Sequence, residues 1–268
     1  MPKTAMTATT ITTDDGCRIA YEWHERPGSP VLVLSPSLGT AMSLFDPQLE
    51  AFRAHFSILC YDPRGHGASD VPIGNYSLDR LGRDVIELLD ALEIGRAHFL
   101  GVSLGGMTGQ WLGYRAPERI ISLILANTSA YMGPPSGWAA RISTVLQQGM
   151  NAMVEPVLER WFTPAFRASG NPAIGAIGHL LETTAPAGYA GCSAAIRDMD
   201  LRPTAPLIAA PTLVVAGLQD PATPPDHAQF LARTIAGARL VELDAAHLSN
   251  VECPELFNAA VQDFLLAL

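Results

Sequence analysis

Three residues far apart in the chain have the side-chain types and local settings needed to break an ester bond. Ser103 lies in Gly101-Val102-Ser103-Leu104-Gly105, after the apolar run Ala97–Leu100 and before the helix-length segment Thr108–Tyr114. This is the G-x-S-x-G pattern of a sharp strand-to-helix turn. A turn that tight pushes the serine into a strained backbone conformation, and side chains at the two flanking glycine positions would collide with the strand or the helix. The strain exposes the hydroxyl above the sheet edge, where the first N–H groups of the helix also point. Alone, the pentapeptide is a weak signal in a chain with 23 glycines among 268 residues. Its strand–turn–helix context is what makes Ser103 a candidate nucleophile.

A serine hydroxyl at neutral pH needs a base, and the base needs an orienting acid. The apolar run Leu213–Ala216 leads through Gly217-Leu218-Gln219 to Asp220, and Leu240–Leu243 leads through Asp244-Ala245-Ala246 to His247. Each side chain is thus delivered just past a predicted strand. Asp198, Asp200 and Asp226 are rival acids, but none directly follows a strand. His66 is the strongest rival base, yet Arg64-Gly65-His66-Gly67 reads as a loop. His24, His55, His98, His179 and His227 have no comparable position. The order Ser103, Asp220, His247 is the one expected of α/β-hydrolases. An oxyanion would then be held by the N–H of Leu104 and by that of Ser37 or Leu38 in the loop after the first parallel strand; Pro36 has no N–H to give.

The elements that must position these groups follow from periodicity. Ala8–Thr13 and Cys17–His24 read as a hairpin around Asp14-Asp15-Gly16, Val31–Leu34 as a strand buried on both faces, and Phe56–Tyr61, Ile120–Ala126, Thr212–Ala216 and Arg239–Leu243 as further strands. Helices are predicted over Phe45–His55, Leu78–Leu92, Pro225–Ile235 and Pro254–Leu266; in the second, Leu81, Val85, Leu88, Leu89 and Leu92 form one apolar face. The alternation implies an α/β fold, a mostly parallel sheet with helices on both faces and ligands bound beyond the carboxyl ends of its strands. It is interrupted at 129–191, a Gly-, Pro-, Ala- and Met-rich stretch with helical pieces at Trp138–Met150 and Glu155–Phe162. We therefore expect a core of 1–128 and 192–268, with 129–191 inserted as a helical lid over the site.

Composition narrows the function classes. Apolar residues make up 48% and charged residues 16%, as in a compact globule, and the net charge of −9 without a lysine or arginine run argues against a nucleic-acid partner. Cys17, Cys60, Cys192 and Cys253 form neither a C-x-x-C pair nor a Cys/His cluster, so neither a metal site nor a disulfide framework is expected. The polar, threonine-rich stretch Met1–Asp15 has no signal-peptide core, and no segment approaches a membrane span in length. These features predict a cytoplasmic protein with no membrane partner.

With these residues placed, the chain resembles the α/β-hydrolase superfamily, and within it the 3-oxoadipate enol-lactone hydrolases of aromatic catabolism. The narrower resemblance rests on Ser37-Leu38-Gly39-Thr40, on Tyr61 to Asp70, on Leu125-Ala126-Asn127-Thr128, on Glu159-Arg160-Trp161-Phe162-Thr163, on Gly188 to Cys192, on Ala195 to Asp200 and on Ala245 to Glu252. Leu104, where such enzymes often carry Met, and Ser193, where a second cysteine is expected, depart from it. The resemblance implies a small anionic lactone as substrate and no cofactor. An anion entering an acidic chain needs a local cation. Arg141 is the first candidate, ahead of Arg197 and Arg160, with Trp138 and Trp161 as apolar walls. A general carboxylesterase, a cofactor-free perhydrolase, and a slow-turnover small-molecule receptor retaining the three residues are the rival readings.

Overall fold

The computed structural model describes residues 9–268. Ala8 of the first predicted strand and much of the polar N-terminal stretch lie outside the described residues. In chain order, β1 (Thr9–Thr12), β2 (Arg18–His24), β3 (Val31–Ser35), β4 (Ser57–Tyr61), β5 (Ala97–Val102), β6 (Ile120–Ala126), β7 (Thr212–Gly217) and β8 (Arg239–Leu243) build one eight-stranded sheet ordered β1-β2-β4-β3-β5-β6-β7-β8. The β1–β2 and β2–β4 pairs are antiparallel and the rest parallel. Every residue of β4, β5 and β7 is buried, which is why these strands read as unbroken apolar runs rather than as alternating ones.

The helices α1 (Asp46–Arg53), α2 (Leu78–Ala91) and α3 (Leu104–Arg115) precede β6. The helix expected from Phe45 starts instead as a 3-10 turn at Met42–Phe45, and α1 takes over at Asp46 with Pro47 in its first turn. The Ser77 hydroxyl caps α2 by accepting from Arg80 N–H at 3.1 Å. The buried face of α2 carries the expected Leu81, Val85, Leu88 and Leu89, with Leu92 just past the helix end and half-buried, but also Asp84, which takes two 2.6 Å hydrogen bonds from the buried Arg64 guanidinium. Arg64 also reaches Asp15, at 2.8 Å, so one cation ties the loop after β4 to the first hairpin and to α2. A buried charge held by several bonds resists displacement, because breaking one partner leaves the other desolvated and unpaired.

Between β6 and β7 come α4 (Pro135–Gln148), α5 (Asn151–Trp161), α6 (Pro164–Ala168), α7 (Pro172–Thr183) and α8 (Pro186–Asp198). The sequence marks only α4 and part of α5. The strand–helix pattern resumes with α9 (Pro225–Thr234), the short α10 (Ser249–Glu252) and α11 (Pro254–Leu265). The 191/192 boundary falls inside α8, which is buried from Gly188 to Ile196 and packs against α4. There α8 and the loop after β4 meet backbone to backbone, since a Cβ on Gly188 would lie 2.4 Å from Gly65 Cα. Among the described residues no helix is long and apolar enough to cross a membrane.

Candidate active site

Ser103 is where the chain turns from β5 into α3, with φ +55° and ψ −112°. The turn is held on both sides of the residue. Its N–H donates to Ala126 O at 2.9 Å, and its carbonyl accepts from Met107 N–H at 3.0 Å and from the Thr128 hydroxyl at 2.7 Å. A Cβ on Gly101 would sit 2.2 Å from the Gly105 carbonyl carbon, and one on Gly105 would sit 2.0 Å from Ser35 O. No side chain fits either place, so the flanking glycines are required by close backbone approach. The strain at Ser103 is offset by the bonds that hold it.

Asp220, in the turn after β7, is buried and saturated with donors. Its Oδ1 accepts from the N–H groups of Ala222 at 2.7 Å and Thr223 at 2.9 Å. Its Oδ2 accepts from the Thr223 hydroxyl at 2.7 Å, from Asn127 Nδ2 at 3.1 Å and from His247 Nδ1 at 2.8 Å. Burial pushes the carboxyl pKa up, but the facing imidazole and the Thr223 donors outweigh it and hold Asp220 at about 2. A carboxylate ionised at all working pH values fixes the proton of His247 on Nδ1 and leaves Nε2 as the basic nitrogen. Among the described residues the ring's hydrogen bonds are all on the Nδ1 side.

Ser103 and His247 line one cleft, together with Ser37, Leu38, Trp138, Arg141, Trp161 and Tyr189. Trp161 lies stacked on the His247 ring, centroids 6.0 Å apart. In the loop after β3, the N–H of Gly39 donates to His66 Nε2 at 2.9 Å, that of Thr40 to Ser37 O at 3.1 Å and that of Met42 to Asp62 at 2.7 Å. Among the described residues the N–H groups of Ser37 and Leu38 donate to no acceptor, and both residues line the cleft. Leu104 opens α3, where first-turn N–H groups have no intrahelical acceptor.

Of the cations considered, Arg141 and Arg160 line the cleft and Arg197 does not. Arg197 pairs with Asp198 on the surface, and Asp200 pairs with Arg202, so neither rival acid approaches His247. Asp226 lines a separate surface groove. His66 is buried away from the cleft.

Residues without an assigned role in the sequence complete the surroundings. Asn127, with φ +45° at the end of β6, donates to Asp220 and to Ala246 O at 3.1 Å each and accepts from the Ser249 hydroxyl at 2.6 Å. It thereby links the ends of β6 and β7 to the histidine loop. Glu252 accepts from Ala246 N–H at 3.0 Å and from the hydroxyl and N–H of Thr163, and Leu248 N–H donates to Trp161 O at 3.1 Å. These bonds fasten the end of α5 to the histidine loop. The strand-end rule that located Asp220 also points to Asn127; Glu252 is visible only in three dimensions.

The sequence pattern described as alpha/beta hydrolase fold matches residues 30–169. The 3-oxoadipate enol-lactonase 2 of Acinetobacter baylyi is 42% identical over 94% of this chain and 94% of its own length. A crystal structure of a hydrolase from Pseudomonas aeruginosa superposes with a TM-score of 0.95 at 49% identity, covering 98% of this chain and 99% of that one. That of the enol-lactonase from Burkholderia xenovorans gives 0.94 at 40% identity, over 96% and 100%.

Proposed function

The chain belongs to the α/β-hydrolase family, and from that premise we propose that it opens 3-oxoadipate enol-lactone to 3-oxoadipate by a Ser103–His247–Asp220 relay. The observation that carries this reading is one cleft lined by a strained serine and by an imidazole whose far nitrogen donates to a saturated carboxylate. Kinship with enol-lactonases at this level of identity supports the substrate.

In this mechanism His247 Nε2 takes the proton of the Ser103 hydroxyl as Oγ attacks the lactone carbonyl carbon. The negative charge moves to the carbonyl oxygen, where the N–H of Leu104 and that of Ser37 or Leu38 receive it; removing one such donor typically costs about 10²–10³ in rate. The bond to the ring oxygen then breaks and expels an enolate, protonated by His247 and still tethered through the acyl chain. An enol is a better leaving group than a simple alkoxide, and its tautomerisation to the ketone makes the step hard to reverse. Water deprotonated by His247 then attacks the acyl carbon and frees Ser103.

Arg141 meets the carboxylate of the substrate. Its Nη1 donates to the Tyr189 hydroxyl at 3.2 Å and its guanidinium lies 4.9 Å from the Trp138 ring centroid, which fixes it against the wall. Trp138 and Trp161 enclose the ring, and the inserted helices act as a lid that excludes water. The reaction requires no metal or organic cofactor and fits a cytoplasmic role in the breakdown of aromatic compounds.

The test is a direct assay of enol-lactone consumption, with Ser103→Ala as control. A kcat/KM for p-nitrophenyl acetate above that for the lactone would replace this reading with a general carboxylesterase.

A further inference from the structure

The mechanism uses one arginine, but the cleft holds two. Arg141 and Arg160 are both half-buried on its wall. Among the described residues neither takes part in an ion pair; Arg160 donates only to the carbonyl of Pro221, at 3.3 Å. The acid nearest in effect, Asp220, is already saturated by five donors. Burial first, and the neighbouring charge of Arg141 second, push the Arg160 guanidinium below its ordinary value.

Both arginines, with Met132, Trp138 and Ala222, also line an outer chamber, open to solvent, whose wall continues through His227. The pair therefore stands where the outer chamber passes into the cleft. A protein of net charge −9 has carboxylates in excess, yet none is placed against these two cations. Two like charges desolvated side by side without a counter-ion are unfavourable, and an arriving anion relieves both terms at once.

We infer that Arg141 and Arg160 form a two-cation gate that passes carboxylate-bearing substrates from the outer chamber to Ser103 and discriminates against neutral esters of the same shape. Arg160 is thus a specificity residue beside Arg141. Arg141 and Arg160 would share the free carboxylate in the cleft, each presenting a planar fork of donors. The inference rests on the hydrolase reading for its kinetic consequence and not for its binding consequence, so the two can fail separately.

The kinetic arm compares kcat/KM for mono-p-nitrophenyl glutarate with that for p-nitrophenyl pentanoate, which share a leaving group and differ in the terminal carboxylate. The wild-type ratio favours the glutarate and falls with added salt. Arg160→Gln lowers the ratio by about tenfold or more, and Arg160→Lys, which keeps the charge but loses the fork, lowers it by less. A ratio equal in Arg160→Gln and wild type overturns the gate, as does a wild-type ratio at or below one. The binding arm titrates glutarate into the intact Ser103→Ala protein and into the same protein with Arg160→Gln added. Affinity lost on adding Arg160→Gln supports the gate even if neither ester is turned over, which would sink the hydrolase reading alone. Equal affinity in the two proteins overturns it.

Discussion

The carboxyl ends of the strands and the wall made by the inserted helices treat their polar groups in opposite ways. At the strand ends every group that orients the chemistry is satisfied. Asp220 has five donors, the backbone of Ser103 is bonded at both N–H and carbonyl, and Asn127 uses both ends of its amide. On the wall, Arg141 and Arg160 lack a counter-ion among the described residues. Saturated groups cannot move and so hold reacting atoms in register; open groups wait for a ligand. On the proposed mechanism, rate falls to one region and recognition to the other.

That division is broken or sharpened by substitution. Ser103→Ala removes the proposed nucleophile and should lower kcat by about 10⁴–10⁶ for anionic and neutral substrates alike; a loss confined to one substrate charge would break the division. Asp220→Asn leaves the shape but no longer fixes the His247 proton on Nδ1, and a loss in kcat of about 10⁴ with little change in KM is expected. Asn127→Ala deletes one donor to Asp220 and the brace to Ala246, for a loss in kcat of about 10–100-fold. Arg141→Ala acts the other way, raising KM for the enol-lactone about tenfold while kcat moves by about threefold at most. An unchanged KM would remove Arg141 from the carboxylate subsite.

The same division explains what the sequence makes legible. Strand ends are visible because fully buried strands are apolar runs with abrupt stops, so Ser103 and Asp220 each stand just past a clear signal, whereas His247 follows the half-exposed edge strand β8, marked by Leu240, Val241 and Leu243 alone. The inserted helices are not visible in this way. The helix α8 is buried on nearly all sides and built from Gly, Ala and Cys, so it has no apolar stripe to recognise. The helices α6 and α7 open on Pro164 and Pro172, capped by Thr163 and Asn171, and the Pro- and Gly-rich composition resembles loop. Arg160 is ranked behind Arg141 and Arg197 because nothing in one dimension tells a paired arginine from an open one. Only the fold shows that Arg197 is taken by Asp198.

The smallest effect asks to which class the loop carrying Ser37 and Leu38 belongs. Its anchor is His66, buried, with Nε2 accepting the Gly39 N–H and Nδ1 left to donate to Arg64 O at 3.3 Å. Burial, only partly opposed by that carbonyl, lowers the pKa of His66 to about 4. In an unfolded chain the same group titrates near its ordinary value of 6.5. As pH falls from 6.5 towards 4 the unfolded state therefore binds a proton that the folded state refuses, and stability drops, by about 2 kcal/mol at pH 5 relative to neutral pH. Protonating Nε2 would turn the acceptor into a donor facing the Gly39 N–H, so the cost is the loss of the anchor itself. His66→Gln keeps an acceptor that does not titrate. Urea unfolding at pH 7 and pH 5 should show the variant losing about 2 kcal/mol less than wild type over that interval. His98, which burial also lowers to about 4, contributes the same slope to both proteins and cancels in the difference. Equal losses in the two would mean that the loop gives way to admit the proton, and would move the proposed oxyanion donors out of the rigid class and into the adaptable one.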